Sequence, residues 1–463
     1  MSKQFRNNEK KLDLTIGKPS TIIIRFAIPM FIGNLFQQAY SLIDTLVVGN
    51  YINSDALAAV GSSGVIMNMV TMIGMGLAVG TSVVSSQYYG AKKYTQVRSV
   101  FNTSLILFGF IGILGGVIGF FGRDYMLSLM NTQPKMFSYA SDYLGVIFVG
   151  IVFVMLYNMF NQMSIALGDS RTPMLMLFIA CIINIIGDLS FTIFFNWGTK
   201  GIAFATVLGQ GFAAISCFFI LRKRLSALPC EEEPKLFDKL LLKQVSAIGL
   251  PAVAQNAIST SGMLAVQSLL NSFGSITVAA YTASNKIDGF AMAPMVSLGS
   301  AVSTFTAQNI GAKRVERVKE GLKFSLLFSL GCCLVTGIII FSSSDFLLGL
   351  FVDGSATSSQ LFEIGTEYLR VAVFSYSLMA LMFIINGVLR GAGDAKTVFV
   401  CSITDLLARA GFAYGTAGFL GRYCLWLSYP FGWICSCIIS IPRYLSRKWE
   451  KTQIVKEQSS DEV

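Results

Sequence analysis

Two rows of polar side chains each follow one face of an otherwise apolar segment. The first row consists of Asn34, Gln37, Ser41 and Asp44. The second consists of Cys181, Asn184, Asp188 and Thr192. Side chains three or four positions apart lie on the same face of an α-helix. Each segment is therefore predicted to turn one polar stripe towards a protein interior.

Asp44 and Asp188 are the members of these stripes that could bind a cation. A charged side chain inside a membrane costs about 2.5–3.5 kcal/mol on insertion scales, so such a carboxylate is a functional hypothesis by default. With Asn184 and Thr206 the two acids offer hard oxygen ligands, which suit Na⁺. Burial and mutual repulsion also favour protonation, so the same pair would serve H⁺. A buried structural network of polar groups is the competing interpretation.

The composition indicates where these stripes lie. Of the 463 residues, 54% are apolar and 13% are charged, whereas about a quarter of a soluble domain is charged. Apolar runs of about 20 residues recur, each long enough to cross the roughly 30 Å of a bilayer as a helix. A β-barrel is excluded because stretches such as 105–121 are apolar on every face. The twelve predicted spans are 21–48, 56–80, 97–121, 138–163, 173–196, 201–222, 246–271, 277–305, 322–343, 364–389, 397–420 and 424–445.

The distribution of Lys and Arg predicts the orientation. Basic residues cluster after the even-numbered spans, as at Lys92 and Lys93 or Lys313 and Arg314, and such clusters mark the cytoplasmic side. Both termini are expected in the cytoplasm and the chain in the cell (inner) membrane. This topology accounts for the net charge of +10, so no nucleic-acid partner is expected. Residues 1–20 lack a small-residue cleavage site, and no signal peptide is expected.

The two halves of the chain repeat one another. Ser-Gln-Tyr-Tyr-Gly-Ala-Lys-Lys at 86–93 recurs as Ala-Gln-Asn-Ile-Gly-Ala-Lys-Arg at 307–314, and the Gly-Asp loop at 167–172 recurs at 392–397. A repeat of six spans keeps its orientation, so the two copies should be related by an axis along the membrane normal. The predicted fold is all-α, with two six-helix lobes around a central cavity. The predicted segments are a cytoplasmic N-terminal segment at 1–20, an N-lobe at 21–222, a linker at 223–245, a C-lobe at 246–445 and a cytoplasmic tail at 446–463.

The repeat does not duplicate the acidic pair. Aligning Pro29 with Pro251 places Val266 opposite Asp44, and whether the C-lobe has its own ion site stays open. Further candidate cavity residues are Asn34, Gln37, Ser41, Gln255, Asn256, Lys286, Asp288, Asp405 and Arg409. Neutralisation within one helix is the alternative for the last four, because opposite charges lie close together in the chain.

Pro29 is predicted to form a hinge, because proline removes a backbone hydrogen bond inside the first span. Flexible methionines recur at helical spacing and could line a cavity for varied cations or simply pack; they are Met67, Met69, Met72, Met75, Met155, Met159 and Met163. The nine cysteines lack paired metal-ligand spacing and are interpreted as small core residues.

Several of these motifs together resemble the multidrug and toxic compound extrusion (MATE) family over essentially the whole chain. They are Ile28-Pro29, Ser41-Leu42-Ile43-Asp44-Thr45, Gln87-Tyr88-Tyr89-Gly90-Ala91 with its repeat at Gln308, both Gly-Asp loops, and Leu425-Trp426-Leu427-Ser428-Tyr429-Pro430. The resemblance implies a secondary antiporter that exports drugs or metabolites, often cationic, in exchange for Na⁺ or H⁺. It also implies that Asp44, Asn184, Asp188 and Thr206 form an ion site in the N-lobe.

Other functions are weaker alternatives. A flippase for a lipid-linked or otherwise anionic substrate would need several cavity cations, for which the sequence offers Lys286, Arg370 and Arg409. No catalytic motif of a membrane enzyme is present in the spans, so the chain is not expected to be an enzyme or to hold a cofactor. The expected partners are small-molecule substrates, the coupling ion and the lipid bilayer, with the monomer as the working unit.

Overall fold

The computed structural model describes the backbone of residues 13–51, 54–350 and 358–455, and the side chains of 13–38, 55–350 and 359–455. This part of the chain is helical and contains no strand. The long helices are α1 (Pro19–Tyr51), α2 (Ser54–Gly90), α3 (Tyr94–Leu129), α4 (Pro134–Ala166), α5 (Arg171–Leu189), α6 (Gly198–Ser226), α7 (Lys239–Asn271), α8 (Ser275–Gly311), α9 (Val315–Gly349), α10 (Ser358–Gly391), α11 (Ala395–Leu420) and α12 (Tyr423–Leu445). A π-helical turn, Ser190–Phe194, follows α5, and a 3₁₀ turn, Lys448–Lys451, follows α12.

The predicted all-α membrane fold is confirmed. Eleven helices of the described chain are long and apolar enough to cross a membrane. The remaining long helix, α7, carries Lys239, Lys243 and Gln244 in its first turns and Gln255 and Asn256 in its middle, which lowers its apolar content. The fifth span was predicted to run to residue 196, but the α-helix ends at Leu189 and the π-helical turn continues it.

Large apolar side chains are exposed along the outer helices. On α3 they include Phe110, Ile113 and Phe121, and on α9 they include Leu334 and Ile338. A soluble protein rarely exposes a large continuous apolar surface, whereas lipid tails solvate such side chains well. These faces are therefore suited to contact with lipid. The nine cysteines are free thiols, and six of them are buried, as expected for small core residues.

The chain divides into two compact units. The first contains Met1–Asp13 and Ile32–Val253, and the second contains Leu14–Phe31 and Ala254–Val463. Relative to the sequence-based lobes, residues 14–31 go with the second unit and 223–253 with the first. Within the first unit α4 packs against α2, α3 and α6, and within the second α10 packs against α8, α9 and α12. The two units thus use equivalent central helices.

The sequence repeat reappears in the backbone. Lys92 (φ 58°) and Lys313 (φ 57°) are both left-handed, and they occupy the same place in the repeated Gly-Ala-Lys segment. Gly168 (φ 77°) and Gly393 (φ 92°) do the same in the two Gly-Asp loops. A left-handed residue just after a helix closes its last turn, because the following N–H groups can then bond back to helix carbonyls. Both halves therefore end their equivalent helices in the same way.

In each half, hydrogen bonds with side chains hold the segment that precedes the first helix. In the second unit the Asn309 amide donates to the Leu14 carbonyl (3.1 Å), and the Arg314 guanidinium donates to the Thr15 carbonyl (2.6 Å). In the first unit the Asn102 amide donates to the Lys235 carbonyl (3.1 Å), and the Asp238 N–H donates to the Thr103 hydroxyl (3.1 Å). These bonds hold the chain just before α1 and α7 against the rest of each unit.

Candidate functional site

The second polar stripe forms a buried site in the first unit. Asp188 is 0% exposed, and Asn184, one turn earlier on α5, is also buried. The Asn184 side-chain amide donates to the Thr206 hydroxyl of α6 (3.3 Å). That hydroxyl donates in turn to the Ile202 carbonyl (3.1 Å). Three of the four residues predicted for the ion site thus lie on two adjacent helices of one unit.

Close contact between α5 and α6 makes this arrangement possible. A Cβ placed on Gly209 would lie 2.8 Å from the Ala180 carbonyl oxygen, and one on Gly187 would lie 2.7 Å from the Ala205 Cβ. Neither glycine could be replaced without moving the helices apart. The closeness brings the short Thr206 side chain within reach of Asn184. Glycine therefore positions the polar groups.

The α-helix changes to a π-helical turn just after Asp188. The turn covers Ser190–Phe194 and includes Thr192, the last member of the stripe, which is buried. Single π-helical turns within helices occur frequently at functional sites. Beside the stripe lies a small pocket lined by Leu177, Ala180, Cys181, Asn184, Thr206, Gly209 and Gln210.

The first polar stripe lies partly outside the described side chains. Ser41 and Asp44 belong to α1 by backbone, but their side chains are not described. Asn34 is half-buried and Gln37 is exposed. Earlier in the helix the Phe36 ring contacts the Phe178 ring of α5, with a centroid distance of 4.8 Å.

Pro29 is buried, and α1 continues across it without a break. The division between the units falls in α1 between Phe31 and Ile32, two residues after Pro29, and in α7 between Val253 and Ala254, two residues after Pro251. The repeated prolines therefore mark equivalent places in the two helices.

The candidate charges of the second unit have different environments. Lys286 is exposed, whereas Asp288 on the opposite face of α8 is 1% exposed. Arg409 pairs with Asp405 through Nη2 and Oδ2 (2.7 Å), as the i, i+4 spacing predicts, and its guanidinium lies 4.3 Å from the Tyr429 ring centre. Of the candidates on α7, Gln255 and Asn256 are half-buried.

The methionines of the two helices also differ. Met155, Met159 and Met163 on α4 are buried in the first unit, whereas Met69 and Met75 on α2 are exposed. The α4 methionines therefore act as packing residues, which was one of the two interpretations of the sequence.

Two phenols beside Asp288 were missed in the sequence. Tyr368 and Tyr376 of α10 both donate hydrogen bonds to the Asp288 carboxylate. Their spacing of eight residues is close to two helical turns and places both on one face. That spacing was a usable signal, but nothing in the sequence indicated that α10 would pack against α8 at this height.

The Gly-Asp loops also have a role that was not foreseen. In the first unit the Asp169 carboxylate pairs with Arg224 at the end of α6 (2.7 Å). In the second unit Asp394 pairs with Arg443 at the end of α12 (2.6 Å). Each loop acid thus joins the start of one helix to the end of the next.

Two repeats of six long helices, with acids buried among them, are typical of a membrane transporter. A family model described as MatE matches residues 29–189 and 251–415. The chain therefore belongs to the MATE family.

Individual relatives extend this likeness to the whole chain. The chain is 28% identical to the "Probable multidrug resistance protein YpnP" of Bacillus subtilis, over 97% of this chain and 100% of the relative. It is 29% identical to the "Probable multidrug resistance protein YoeA" of the same organism, over 93% and 94%. A solved structure described as the outward-facing conformation of a multidrug resistance MATE family transporter of the MOP superfamily has a TM-score of 0.88. It is 22% identical and aligns over 96% of this chain and 99% of its own.

Proposed function

We propose that this transporter is a secondary antiporter that exports amphipathic, often cationic drugs or metabolites in exchange for Na⁺ or H⁺. The observation that carries the proposal is the buried Asp188 beside the hydrogen-bonded Asn184 and Thr206. A carboxylate wholly buried in a membrane-length helix is compensated best when it binds a cation. The names of the Bacillus subtilis relatives, both probable multidrug resistance proteins, support export of drugs.

Coupling requires only that the cation and the drug favour different states. We propose that Asp44, Asn184, Asp188 and Thr206 bind the cation, and that its binding changes the bend of α1 at Pro29. The cavity of the N-lobe then collapses and releases the substrate outward. The position of Pro29, two residues before α1 passes from one unit to the other, supports a hinge at this point.

An antiporter fits the charges of the second unit better than a flippase for anionic substrates does. Arg409 is already neutralised by Asp405. Arg370 lies over the Phe341 ring at 5.4 Å, and Lys286 is exposed. We further propose that both termini face the cytoplasm, that the host is the cell (inner) membrane, and that the monomer is the working unit.

The decisive experiment compares wild type, Asp188→Asn and Asp44→Asn in proteoliposomes loaded with ethidium. Sodium and proton gradients are imposed separately, and Asp124→Asn, whose side chain is 59% exposed, controls for loss of any one carboxylate. Efflux driven by one of the gradients should fall about ten- to hundredfold in the first two variants and stay unchanged in the control. Unchanged efflux in Asp188→Asn, with the protein folded, would rule out the proposed ion site.

A further inference from the structure

The second unit buries a carboxylate that the ion site of the first unit does not use. Asp288 lies on α8, and Tyr368 and Tyr376 reach it from α10. Tyr368 donates to Oδ2, and Tyr376 donates to Oδ1 at 2.5 Å. Each carboxylate oxygen thus receives one phenol hydrogen bond, and the acid is held from both sides.

The surroundings of Asp288 are apolar or aromatic. Ile287, Ala291 and Met295 of the same helix belong to one buried cluster with Tyr368 and Tyr376. The Trp426 ring contacts the Tyr368 ring at 4.9 Å and stacks on the Tyr281 ring at 5.8 Å. These rings and that of Tyr376 are all buried. Asp288 is itself 1% exposed, which favours a ligand as small as a proton.

The two candidate cations of this unit, Lys286 and Arg409, do not pair with Asp288. No ion pair in the described chain includes Asp288. Lys286 is exposed on the opposite face of α8, and Arg409 pairs with Asp405. Tyr368 and Tyr376 on α10 contact the acid directly. The titratable groups around this pair are Tyr281 on α8, Cys333 on α9 and Tyr429 on α12. These groups are phenols and a thiol, which do not supply positive charge.

A buried carboxylate without a counter-ion is costly, and two hydrogen bonds from phenols compensate only part of its lost hydration. The simplest remedy is protonation. We propose that Asp288, held between Tyr368 and Tyr376, is a proton-binding site of the second unit, separate from the ion site of the first unit. The proton adds to one carboxylate oxygen, and the phenol bonded there turns its own O–H away and accepts the new O–H. No other bond changes.

Further phenol hydroxyls lie beside the pair that holds the acid. The Tyr281 and Tyr429 hydroxyls are 2.8 Å apart, and the Tyr281 ring contacts the Tyr368 ring at 5.3 Å. The site extends the cation-coupled transport proposed above, but its first test requires no transport.

The test is infrared difference spectroscopy of the purified full-length protein in lipid, titrated across pH. Wild type should show a protonated-carboxyl C=O band that Asp288→Asn loses and Asp188→Asn retains. The double variant Tyr368→Phe/Tyr376→Phe removes both donors to the anion, so its band should persist to a pH about one unit higher or more. Tyr429→Phe, which leaves both donors in place, is the matched control and should shift the band less.

Three results would overturn the assignment. The first is an unchanged band in Asp288→Asn, and the second is an Asp288 carboxylate that stays ionised throughout the titration. The third is loss of the wild-type band when Na⁺ is added at fixed pH, which would show that the site binds a metal cation instead. If Asp288→Asn keeps the band while Asp188→Asn abolishes efflux, the proton site fails and the proposed antiport stands. If Asp288→Asn loses the band while Asp188→Asn transports normally, the proton site stands and the proposed coupling site fails.

Discussion

The two units share a scaffold but not their buried chemistry. Among the described side chains, the most deeply buried acid of the first unit is Asp188 on its fifth helix, and that of the second unit is Asp288 on the second helix of the repeat. Aligning the Gly-Asp loops places the buried Ala413 opposite Asp188, and aligning Gln87 with Gln308 places Met67 opposite Asp288. Each half thus carries an apolar residue where the other carries its acid.

The neighbouring residues diverge in the same manner. Opposite Ala180 and Asn184, which line the small pocket of the first unit, the second unit has Asp405 and Arg409. Their ion pair fills the equivalent place on α11. Opposite Thr206 it has Phe431. The comparison shows that the repeat preserves where helices pack, while a few differences at the packed faces change which polar groups each half buries.

The largest expected effect is a difference in stability between the two ion pairs that the loop acids form, Asp169–Arg224 and Asp394–Arg443. Asp169→Ala leaves Arg224 unpaired with its side chain 8% exposed, whereas Asp394→Ala leaves Arg443, which is 28% exposed. Stranding a buried charge typically costs about 3–5 kcal/mol. Asp169→Ala should therefore lower the free energy of unfolding by about that amount and Asp394→Ala by less, as measured by denaturation in mixed micelles.

The double variant Asp169→Ala/Arg224→Met is the control for this prediction. It removes the stranded charge, so it should recover part of the lost stability. If the double variant is no more stable than Asp169→Ala, the cost arises from the lost caps on Arg171 and Thr172 rather than from the charge.

The second prediction concerns the ion pair that replaces the polar site. Asp405→Asn leaves Arg409 largely buried without its carboxylate and should cost about 2–4 kcal/mol. Asp405→Asn/Arg409→Gln removes both charges and should recover much of that loss while keeping gradient-driven ethidium efflux. Loss of coupling in a stable double variant would show that the pair takes part in transport.

The third prediction tests the helix contact that holds the Asp288 site. A Cβ on Gly387 of α10 would lie 2.5 Å from the Gly299 carbonyl oxygen of α8, whereas one on Gly331 of α9 would meet no atom within 4 Å. Gly387→Ala should therefore destabilise by about 1–3 kcal/mol. Gly331→Ala, on an open face, should be neutral or slightly stabilising. Equal unfolding midpoints for the two variants would contradict the close α8–α10 packing.

The smallest effect contrasts the starts of α7 and α1. The Asp238 carboxylate caps α7 by accepting from the Leu240 N–H (2.8 Å) and the Leu241 N–H (3.2 Å), whereas the equivalent position before α1 is Ile16. Burial raises the pKa of Asp238, but these N–H groups and Lys235 outweigh it, so the pKa is lowered overall.

A carboxyl with a lowered folded-state pKa stabilises above its unfolded pKa, and this contribution is lost as the pH falls through the folded value. Asp238→Ala should cost about 1 kcal/mol at neutral pH. The difference from wild type should disappear under acid conditions, as measured by unfolding at two pH values. Asp55→Ala, which removes the acidic residue from the first turn of α2, is the comparison for loss of a carboxylate at a helix start. A difference that persists in acid would contradict the cap.

Much of the fold could be predicted from the sequence because each span has to be apolar and long enough to cross the membrane on its own. The apolar runs located all twelve long helices, and the proline, Gly-Ala-Lys and Gly-Asp repeats revealed the duplication that the backbone reproduces at Lys92 and Lys313. Helical spacing also placed Asn184 and Asp188 on a common buried face of α5. These features depend on hydropathy and on short-range periodicity, which the chain carries locally.

Only the tertiary structure decided which of the polar residues meet. The sequence could not show that Asn184 reaches Thr206, that Arg224 and Arg443 pair with the loop acids, or that Tyr368 and Tyr376 face Asp288. Nor could it place residues 14–31 in the second unit. Such contacts depend on how two helices far apart in the chain are rotated and shifted against each other. Residues without a side chain, such as Gly209 and Gly387, determine this by letting the helices approach closely. Hydropathy determines that a helix lies in the membrane. The shape of the neighbouring helices determines which of its faces contacts which partner.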